Sequence, residues 1–337
     1  MHKCSVIILN WNGEKYIDNF LPSVIKYSQS KSIEIVVADN GSTDKSVQLI
    51  RNSYPSVRII ELGQNFGFAE GYNRAVQLTQ AEYIVLLNND VEVTEHWLDN
   101  MLDYMDCHPQ TACCQPKIRA YNKKTHFEHA GAAGGMIDFL GYPFCRGRIV
   151  GTVEEDKGQY DTICNIFWAT GACMVIRRNA YIDNGGLDAD FFAHQEEIDL
   201  CWRLLCRGNK IVCIPQSVVY HVGGASLSYQ NPQKTYLNFR NNLFLLYKNL
   251  PNSKLWRIMT IRFFMDYAAA VQFLLTGQWQ NFRMVFKARK DYKRMKKLFK
   301  PKRETNLQKS TTPYPEEIIH RSIIADYYIF RKLRVEK

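Results

Sequence analysis

The first hundred residues alternate between short apolar runs and longer segments of mixed character. The apolar runs are rich in Val, Ile and Leu, and they predict strands at residues 4–9, 33–38, 57–61 and 83–87. Between them, helical spacing of apolar residues predicts helices at 14–28, 44–52 and 67–79. Strands this apolar that alternate with helices predict an α/β fold, in which a mostly parallel sheet is covered by helices on both faces.

Polar residues stand at the carboxyl end of each predicted strand. In chain order they are Asn10, Asp39, Asn65, Asn88 and Asp90. The carboxyl ends of parallel strands meet at one edge of a sheet, and ligands bind in the crevice outside that edge. We therefore expect these side chains to line one binding crevice.

The strand-end residues also have ordinary structural explanations. Ser42 or Thr43 could cap the second helix, and Asp90 could cap a helix that begins near Thr94. Each explanation is sufficient for a single residue. None of them accounts for polar residues at the ends of four successive strands, and this coincidence favours a binding site.

The crevice lacks the Gly-rich sequences that hold phosphate groups in other α/β proteins. No GxGxxG follows the first strand, and no GxxxxGK[ST] occurs in the sequence. A carboxylate at a strand end suits a hard divalent cation, Mg²⁺ or Mn²⁺, that bridges a diphosphate. Asp90 is the predicted metal ligand, and we expect its carboxylate to be solvated.

Length and composition predict one large globular domain and a smaller appendage. The chain has 337 residues, of which 46% are apolar. Its ten cysteines are scattered and include no CxxC pair, which favours a reduced compartment. The N-terminal sequence MHKCSVIILNW is expected to be the first strand rather than a signal peptide. No stretch is expected to offer the roughly 18 apolar residues that a transmembrane helix needs.

The pattern changes after residue 235, which divides the chain into a catalytic domain at 1–235 and a helical, basic extension at 236–337. The segment LWRIMTIRFFMDYAAAVQFLL mixes apolar with charged residues and predicts an amphipathic helix. The net charge is +10, and the basic stretch from Arg283 to Arg303 contains a single acid, Asp291. Such a stretch is either a solvated face or a contact with an anionic partner, membrane or nucleic acid.

Successive blocks of the sequence occur in order over roughly residues 4–245: SVIILNWNG, VVADNGSTD, NFGFAEGYNRA, LLNND, ATGACMVIRR, GGLDADFFAHQEEIDLCWRL and YHVGGAS. They resemble the blocks of family-2 glycosyltransferases, in the branch of rhamnosyltransferase-like enzymes. The resemblance implies a type A glycosyltransferase fold, which is Rossmann-like and binds a nucleotide-diphosphate sugar at the sheet edge. It implies transfer of that sugar to a saccharide or lipid-linked acceptor in cell-surface polysaccharide synthesis. The branch implies a deoxythymidine-diphosphate-rhamnose donor, with other sugars left open.

Carried over by position, the resemblance implies roles at the donor site. Asp39 would accept a hydrogen bond from the nucleobase, and small residues would let the donor sugar approach the backbone. The residues implied to bind the donor are Asn10, Asp39, Asn65, Arg74, Asn88, Gly171 and Ala172.

The resemblance also implies two contacts to the divalent metal. LNND stands where the family has its Asp-x-Asp motif, so Asp90 would hold the metal. Asn88 replaces the first Asp of many members, and it lowers the negative charge of the site. The second metal contact of the family matches His221.

Three acids in HQEEIDLCWR provide a candidate base. The resemblance makes Glu197 the catalytic base of an inverting transfer, with Glu196 as the alternative. On a helix, Glu196 and Asp199 share a face while Glu197 points elsewhere. A structural explanation is also open, because acids favour a helix N-terminus and Asp199 can pair with Arg203.

The acceptor site is less clearly indicated by the sequence. Trp168 could stack on an acceptor sugar ring or could be an ordinary core or surface aromatic residue. The segment at 126–148 also resembles the branch, and it is expected to be a flexible acceptor loop.

Two classes of function remain open from the sequence. The first is a transferase that works in the cytoplasm on the inner face of the cell membrane and contacts anionic lipid through residues 255–303. The second is a basic membrane- or RNA-binding protein whose α/β domain is inactive. The first requires Asp90, His221 and Glu197 to converge in one cleft, and the second predicts a dispersed or blocked cleft. No nucleic acid partner is expected, because no RNA-binding fold surrounds the basic stretch.

Overall fold

A computed structural model describes residues 2–223, 231–332 and 334 of the chain. The strands are β1 (His2–Asn10), β2 (Ile33–Asp39), β3 (Arg58–Glu61), β4 (Ala81–Asn88), β5 (Val91–Val93), β6 (Thr111–Ala120), β7 (Lys123–Phe127), β8 (Gly135–Asp138), β9 (Pro143–Cys145), β10 (Arg148–Ile149), β11 (Thr152–Val153), β12 (Cys164–Asn165), β13 (Cys173–Arg177), β14 (Lys210–His221) and β15 (Ile318–Ile319). The α-helices are α1 (Glu14–Tyr27), α2 (Ser46–Ser53), α3 (Gly67–Gln77), α4 (Asp99–Cys107), α5 (Arg178–Asp183), α6 (Glu196–Cys206), α7 (Pro232–Asn249), α8 (Asn252–Leu275), α9 (Trp279–Gln308) and α10 (Ile323–Tyr328), and a 3₁₀ helix covers Ala189–Phe191.

The central sheet has the strand order β12-β14-β6-β13-β4-β1-β2-β3, with β5 paired to β14 and β7 to β6. Strands β3, β2, β1 and β4 are parallel, as predicted, whereas β13 runs antiparallel to both of its neighbours. Along β4, Ile84 and Leu86 pack on the side of α3, while Val85 and Leu87 pack on the side of α1 and α4. Helices thus cover both faces of a mostly parallel sheet, and the predicted α/β class is confirmed.

Two alternative explanations by helix capping are wrong. Helix α2 begins at Ser46, two residues later than predicted, and Lys45 before it makes no side-chain cap. Instead, Asp44 Oδ1 accepts a hydrogen bond of 3.1 Å from the Ser46 N–H. Asp90 is followed by β5, and the next helix begins only at Asp99. Asp90 therefore does not cap a helix.

The segment at 126–148 contains short strands and is not the flexible loop that the sequence predicts. Strands β8 to β11 form a second sheet, in the order β11-β10-β9-β8-β15. The last of these strands comes from the C-terminal region and pairs in parallel with β8. The loop prediction is wrong because a strand from a distant part of the chain completes this sheet.

The C-terminal helices pack on the rest of the chain. Helix α7 begins at Pro232, so the predicted domain boundary at 235 falls in its first turn. From α7, Lys248 Nζ reaches Asp188 Oδ2 at 2.6 Å and Asp199 Oδ2 at 2.7 Å, and all three side chains are buried. These contacts join the extension firmly to the α/β core.

Helix α8 is, in the described part of the chain, the one helix long and apolar enough to cross a membrane by length and composition. The expectation that the sequence offers no such stretch is therefore wrong. Length and composition do not by themselves separate a membrane span from a helix that packs on protein. The contacts of α8 decide its role.

Two buried charges of α8 connect it to other parts of the structure. Arg262 lies 3.2 Å from Asp266 one turn later, and its Nη1 donates to the Leu140 carbonyl oxygen at 3.0 Å. Asp266 Oδ2 also accepts a hydrogen bond of 2.5 Å from Arg289 Nη1 on α9. One buried carboxylate thus balances two guanidinium groups.

We predict that Asp266→Asn lowers the free energy of unfolding by about 3–5 kcal/mol, because it leaves two buried cations without their shared counter-charge. Urea denaturation followed by circular dichroism measures this loss. A suitable control is Glu304→Gln, since Glu304 makes only an exposed contact of 3.8 Å with Lys300. An Asp266→Asn variant as stable as the wild type would contradict this role of Asp266.

Candidate active site

The carboxyl ends of β1, β2 and β4 lie side by side at one edge of the central sheet. Asn10 is in register with Asp39, and Leu9 is in register with Asn88. Asn10 is fully buried, and its Oδ1 accepts a hydrogen bond of 3.0 Å from Asn89 Nδ2. The side chain of Asn10 therefore lies at the predicted edge but is bonded to protein groups.

Three of the predicted donor-binding residues surround the loops after β2 and β3. Asp39 Oδ2 accepts a hydrogen bond of 3.0 Å from the Ser42 N–H, while Asp39 Oδ1 is buried without a partner among the described residues. Asn65 is exposed, and Arg74 lies with its guanidinium 3.8 Å from the ring centre of Phe66. A buried carboxylate oxygen without a donor is costly, so Asp39 Oδ1 has the character of a ligand contact.

His221 and Asp90 are neighbours because β14 pairs antiparallel with β5, which places His221 opposite Val91. His221 Nε2 lies 3.1 Å from Asp90 Oδ1 and 3.3 Å from Asn88 Nδ2. The structure thus brings the two predicted metal contacts together with Asn88.

The sequence analysis missed Glu128, whose Oε2 lies 3.4 Å from His221 Nδ1. The end of the YHVGGAS block, residues 224–226, lies outside the described residues.

The pair of Asp90 and His221 is buried, so the expectation of a solvated Asp90 is wrong. Burial alone would lower the pKa of His221, but the contacts with Asp90 and Glu128 outweigh burial and raise this pKa to about 10. At neutral pH the imidazole therefore carries a proton between two acids, and a cation that binds at Nε2 would displace that proton.

A cavity of about 540 Å³ lies next to this pair, between the sheet edge, the start of α6 and helix α7. Its volume is typical of a site for a small-molecule ligand. The predicted site residues that line it are Asn88, Trp168, Gly171, Ala172, Glu196, Glu197 and His221. The structure therefore places the candidate base and one candidate metal contact on the walls of a single cavity.

Glu196 and Glu197 begin helix α6, and both face the cavity, although the sequence placed them on different faces of the helix. In each residue, Oε2 is buried without a hydrogen-bond partner in the described part of the chain. Burial raises the pKa of Glu197 to about 7. Burial and the neighbouring Glu197 raise the pKa of Glu196 well above its usual range. Two adjacent buried acids disfavour simultaneous ionisation, so a charge on one of them favours the protonated form of the other. Asp199 instead forms the predicted buried pair with Arg203, at 3.0 Å.

The turn that presents these acids has a strained backbone. Phe192, His194 and Gln195 have φ values of 68°, 70° and 71°, a region that residues other than glycine seldom adopt. Asn241 of α7 holds the turn, because its Nδ2 donates to the carbonyl oxygens of Ala193 and His194, both at 2.8 Å. The sequence analysis missed Asn241, since no local motif connects it with the turn.

Trp168 lines the cavity but is almost completely buried. Its ring lies against Gly135, where an added Cβ would come within 2.2 Å of the indole atoms. This packing favours the core-aromatic alternative over stacking on a sugar. Gly171 and Ala172 line the cavity immediately before β13, in keeping with close approach of a ligand to the backbone.

Comparison with known proteins agrees with the sequence resemblance. The family model described as Glycosyl transferase family 2 matches residues 5–185, which is more than half of the chain. The chain is 26% identical over 231 residues to an N-acetylglucosaminyl-diphospho-decaprenol L-rhamnosyltransferase of Mycobacterium tuberculosis, covering 64% of this chain and 75% of that protein. It is 23% identical over 223 residues to Rhamnosyltransferase WbbL of Escherichia coli, covering 64% and 82% respectively.

Solved structures show the same fold. A mannosyltransferase of Pyrobaculum calidifontis in complex with GDP-Man and Mn²⁺ matches with a TM-score of 0.54 and 14% identity, over 91% of this chain and 84% of that one. The type A glycosyltransferase fold predicted from the sequence is therefore confirmed. With the family match over residues 5–185 and the two rhamnosyltransferase relatives, the chain belongs to glycosyltransferase family 2 and is a rhamnosyltransferase-like enzyme of that family.

Proposed function

We propose that the enzyme transfers rhamnose, or a related sugar, with inversion from a nucleotide-diphosphate donor to a lipid-linked saccharide in cell-surface polysaccharide synthesis. The observation that carries this proposal is that Glu197 lines the same cavity as Asn88 and His221. A donor held near His221 and an acceptor hydroxyl near Glu197 would meet in that cavity. Both relatives are rhamnosyltransferases, which supports rhamnose as the transferred sugar. The M. tuberculosis relative is an N-acetylglucosaminyl-diphospho-decaprenol rhamnosyltransferase, which supports an acceptor on a lipid diphosphate.

Donor binding is proposed along the edge of the central sheet. The unpartnered Oδ1 of Asp39 can accept a hydrogen bond from a nucleobase N–H. Asn65 and Arg74 lie by the neighbouring loop, where the rest of the nucleotide would pass. Asn10 has a supporting role in this proposal, because its buried amide positions Asn89.

The geometry of Asp90 and His221 fits a divalent cation. Asp90 Oδ1 and His221 Nε2 are 3.1 Å apart. Adjacent ligands of an octahedral ion with bonds of about 2.1 Å are separated by about 3 Å. Oxygen and imidazole nitrogen are donors that suit Mn²⁺, and oxygen suits Mg²⁺. When bound, the cation would neutralise charge that develops on the departing diphosphate.

Glu128 is not proposed as a metal ligand. It contacts the second ring nitrogen of His221, so it orients the imidazole from behind. Within residues 2–223, 231–332 and 334, no group of three His, Cys, Asp or Glu side chains converges on one cation position. Two protein ligands are sufficient where substrate phosphates and water complete the coordination.

Glu197 is proposed as the general base. Its Oε2 accepts the proton of the acceptor hydroxyl while the hydroxyl oxygen bonds to the anomeric carbon of the donor sugar. The bond from that carbon to the diphosphate breaks on the opposite face, so the configuration is inverted. Burial and the neighbouring Glu197 raise the pKa of Glu196, which favours its protonated form and so avoids a second negative charge beside the base.

Two basic residues of the cavity support a substrate that contains phosphate. Arg148 and Lys234 line the cavity, and Arg148 Nε is buried without a hydrogen-bond partner among the described residues. A phosphate oxygen would supply the missing acceptor. Either the donor diphosphate or the lipid diphosphate of the acceptor provides such a group.

The alternative of an inactive binding protein predicts a dispersed or blocked cleft. The structure instead has an open cavity lined by His221 and Glu197, with Asp90 in contact with His221. The family match also supports an enzyme. We therefore assign the basic extension a role in addition to catalysis, not instead of it.

We predict that, in a panel of nucleotide sugars, deoxythymidine-diphosphate-rhamnose is turned over most rapidly, and only with Mn²⁺ or Mg²⁺. Release of nucleoside diphosphate measures turnover, with a saccharide on a lipid diphosphate as the acceptor. Nuclear magnetic resonance of the product should show an inverted anomeric configuration. Retention of configuration, or no turnover of any donor, would refute the proposed reaction.

We predict that Glu197→Gln lowers transfer by roughly 10²-fold or more with donor affinity nearly unchanged, because it keeps the shape but removes the base. The matched control is Glu196→Gln, which imitates the protonated state of Glu196 and should lose much less. The wild-type rate should rise through a pH of about 7, where Glu197 loses its proton, and this rise should be absent from the residual rate of Glu197→Gln. If Glu196→Gln suffers the large loss instead, Glu196 is the base.

We predict that Asp90→Asn weakens the Mn²⁺-dependent binding of nucleoside diphosphate by about tenfold or more, because an amide is a poorer ligand than a carboxylate. Calorimetric titration with and without Mn²⁺ measures this difference, and thermal melting checks the fold. Asp106→Asn is the control, since Asp106 pairs with Lys3 on the surface at 2.5 Å. Equal Mn²⁺-dependent affinity in Asp90→Asn and wild type would rule out the metal assignment.

A further inference from the structure

Helix α8 buries two of its charged side chains and exposes large apolar side chains, while Lys254 and Arg257 near its N-terminus are exposed. Arg262 and Asp266 are only 2% and 1% exposed. The exposed large apolar residues of the same helix are Trp256, Phe263, Phe264, Val271, Leu274 and Leu275. A surface helix of a water-soluble protein has the reverse arrangement. Most of the outer face of α8 therefore lacks the polar cover that contact with water favours.

Specific bonds fix this orientation of the helix. Arg262 donates to the Leu140 carbonyl oxygen at 3.0 Å and lies 4.0 Å from the ring centre of Tyr142. Asp266 accepts a hydrogen bond of 2.5 Å from Arg289. Rotation of α8 to bury its apolar face would break these buried contacts, so the exposed apolar face is a property of the fold.

Aromatic contacts continue the apolar surface from α8 onto α9. The ring centres of Phe263 and Tyr267 are 4.8 Å apart, and those of Tyr267 and Phe286 are 5.1 Å apart. Along α9, Phe286 contacts Phe282 at 4.9 Å, and Phe282 contacts Trp279 at 5.1 Å. We call the exposed part of this surface the hairpin face, formed by Trp256, Phe263, Phe264, Val271, Leu274, Leu275, Trp279 and Phe286. Continuous exposed apolar surfaces of this kind mark interaction sites.

A row of cations continues the hairpin face along α9. Lys290, Lys293 and Lys297 follow Phe286 after four, seven and eleven residues, a spacing that places them on the same side of the helix. All three lysines are exposed, and the single acid of α8, Asp266, is buried. Aromatic and aliphatic groups beside a row of cations match a bilayer that contains anionic lipids.

We propose that the hairpin face docks on an anionic phospholipid bilayer, with α8 and α9 lying flat on its surface. Crossing the bilayer would require α8 to break the contacts of Arg262 and Asp266 and to carry two charges into hydrocarbon. A second copy of the chain fits less well, because a two-fold contact through this face would bring the two rows of lysines together.

Docking through this face places the cavity at the membrane surface. Arg262 lines the cavity from the inner side of α8, while the next two residues, Phe263 and Phe264, are exposed on the outer side. A helix with its side chains is about 10 Å across, so the cavity lies about one helix diameter from the lipid headgroups. If the proposed function holds, a saccharide on a lipid diphosphate reaches Glu197 without leaving the bilayer. Anionic lipids are characteristic of the cytoplasmic leaflet, which makes the inner face of the cell membrane the proposed location.

Co-sedimentation with vesicles tests the docking surface directly. Wild-type protein should bind vesicles of phosphatidylcholine mixed with phosphatidylglycerol, and it should bind pure phosphatidylcholine more weakly. High salt should remove part of the binding, since it screens the lysines but not apolar burial. The variant Trp256→Ser, Phe264→Ser, Leu275→Ser should bind at least about tenfold more weakly to both kinds of vesicle. The variant Lys290→Gln, Lys293→Gln, Lys297→Gln should lose about tenfold on anionic vesicles only.

The matched control replaces two exposed apolar residues outside the hairpin face, Leu78→Ser and Ile163→Ser, and should bind like the wild type. Thermal melting shows whether each variant is folded. Wild-type protein that ignores anionic vesicles at low salt would overturn the proposal, and so would equal binding by the folded apolar variant. If the wild type does not bind vesicles but forms a dimer that the apolar variant cannot form, the hairpin face contacts a second copy of the chain. If it binds RNA tightly instead, the row of lysines contacts nucleic acid. Vesicle binding requires no substrate, so failure of docking and failure of the proposed function are separate results.

Discussion

The pairing of β5 with the end of β14 determines where the two proposed metal contacts, Asp90 and His221, lie. Asp90 comes immediately before β5, and His221 is the last residue of β14, so two strands far apart in the chain bring the acid and the imidazole together. A backbone hydrogen bond of 3.2 Å from the Val222 N–H to the Asp90 carbonyl oxygen extends this pairing past the strand ends. The position of the site therefore depends on backbone pairing, and the two side chains need no flexible loop to meet.

The order of strands and helices at the start of the chain was predictable because it depends on local patterns. Apolar runs such as the one that ends at Leu87 can only be buried, and polar residues after them must lie at the sheet edge. The sequence could not reveal Glu128 behind His221 or Asn241 behind the strained turn. Those contacts join residues whose neighbours in sequence give no sign of a shared site. The burial of Asp90 was missed for the same reason, since β14 covers it from a distant part of the chain.

Helix α8 shows a different limit of sequence reasoning. Periodicity indicates that charged and apolar residues occupy different faces, but it does not indicate which face is turned toward the protein. Arg262 and Asp266 gave the helix an ordinary amphipathic appearance, and an ordinary helix would place them in water. The contacts of Arg262 with Leu140 and of Asp266 with Arg289 on α9 show that these two charges are inside. The orientation of an amphipathic helix is a property of its partners.

Asn241 joins the C-terminal helices to the turn that presents Glu196 and Glu197. An exchange of α7 to α9 between two related enzymes, made to redirect where the enzyme attaches in the cell, would also exchange the amide that holds the carbonyl groups of Ala193 and His194. Such a chimera keeps its acids in position only if the incoming helix has an amide donor at the same place. The proposed attachment surface and the proposed base are therefore not independent parts of this protein, and a chimera would need to exchange α7 together with the turn.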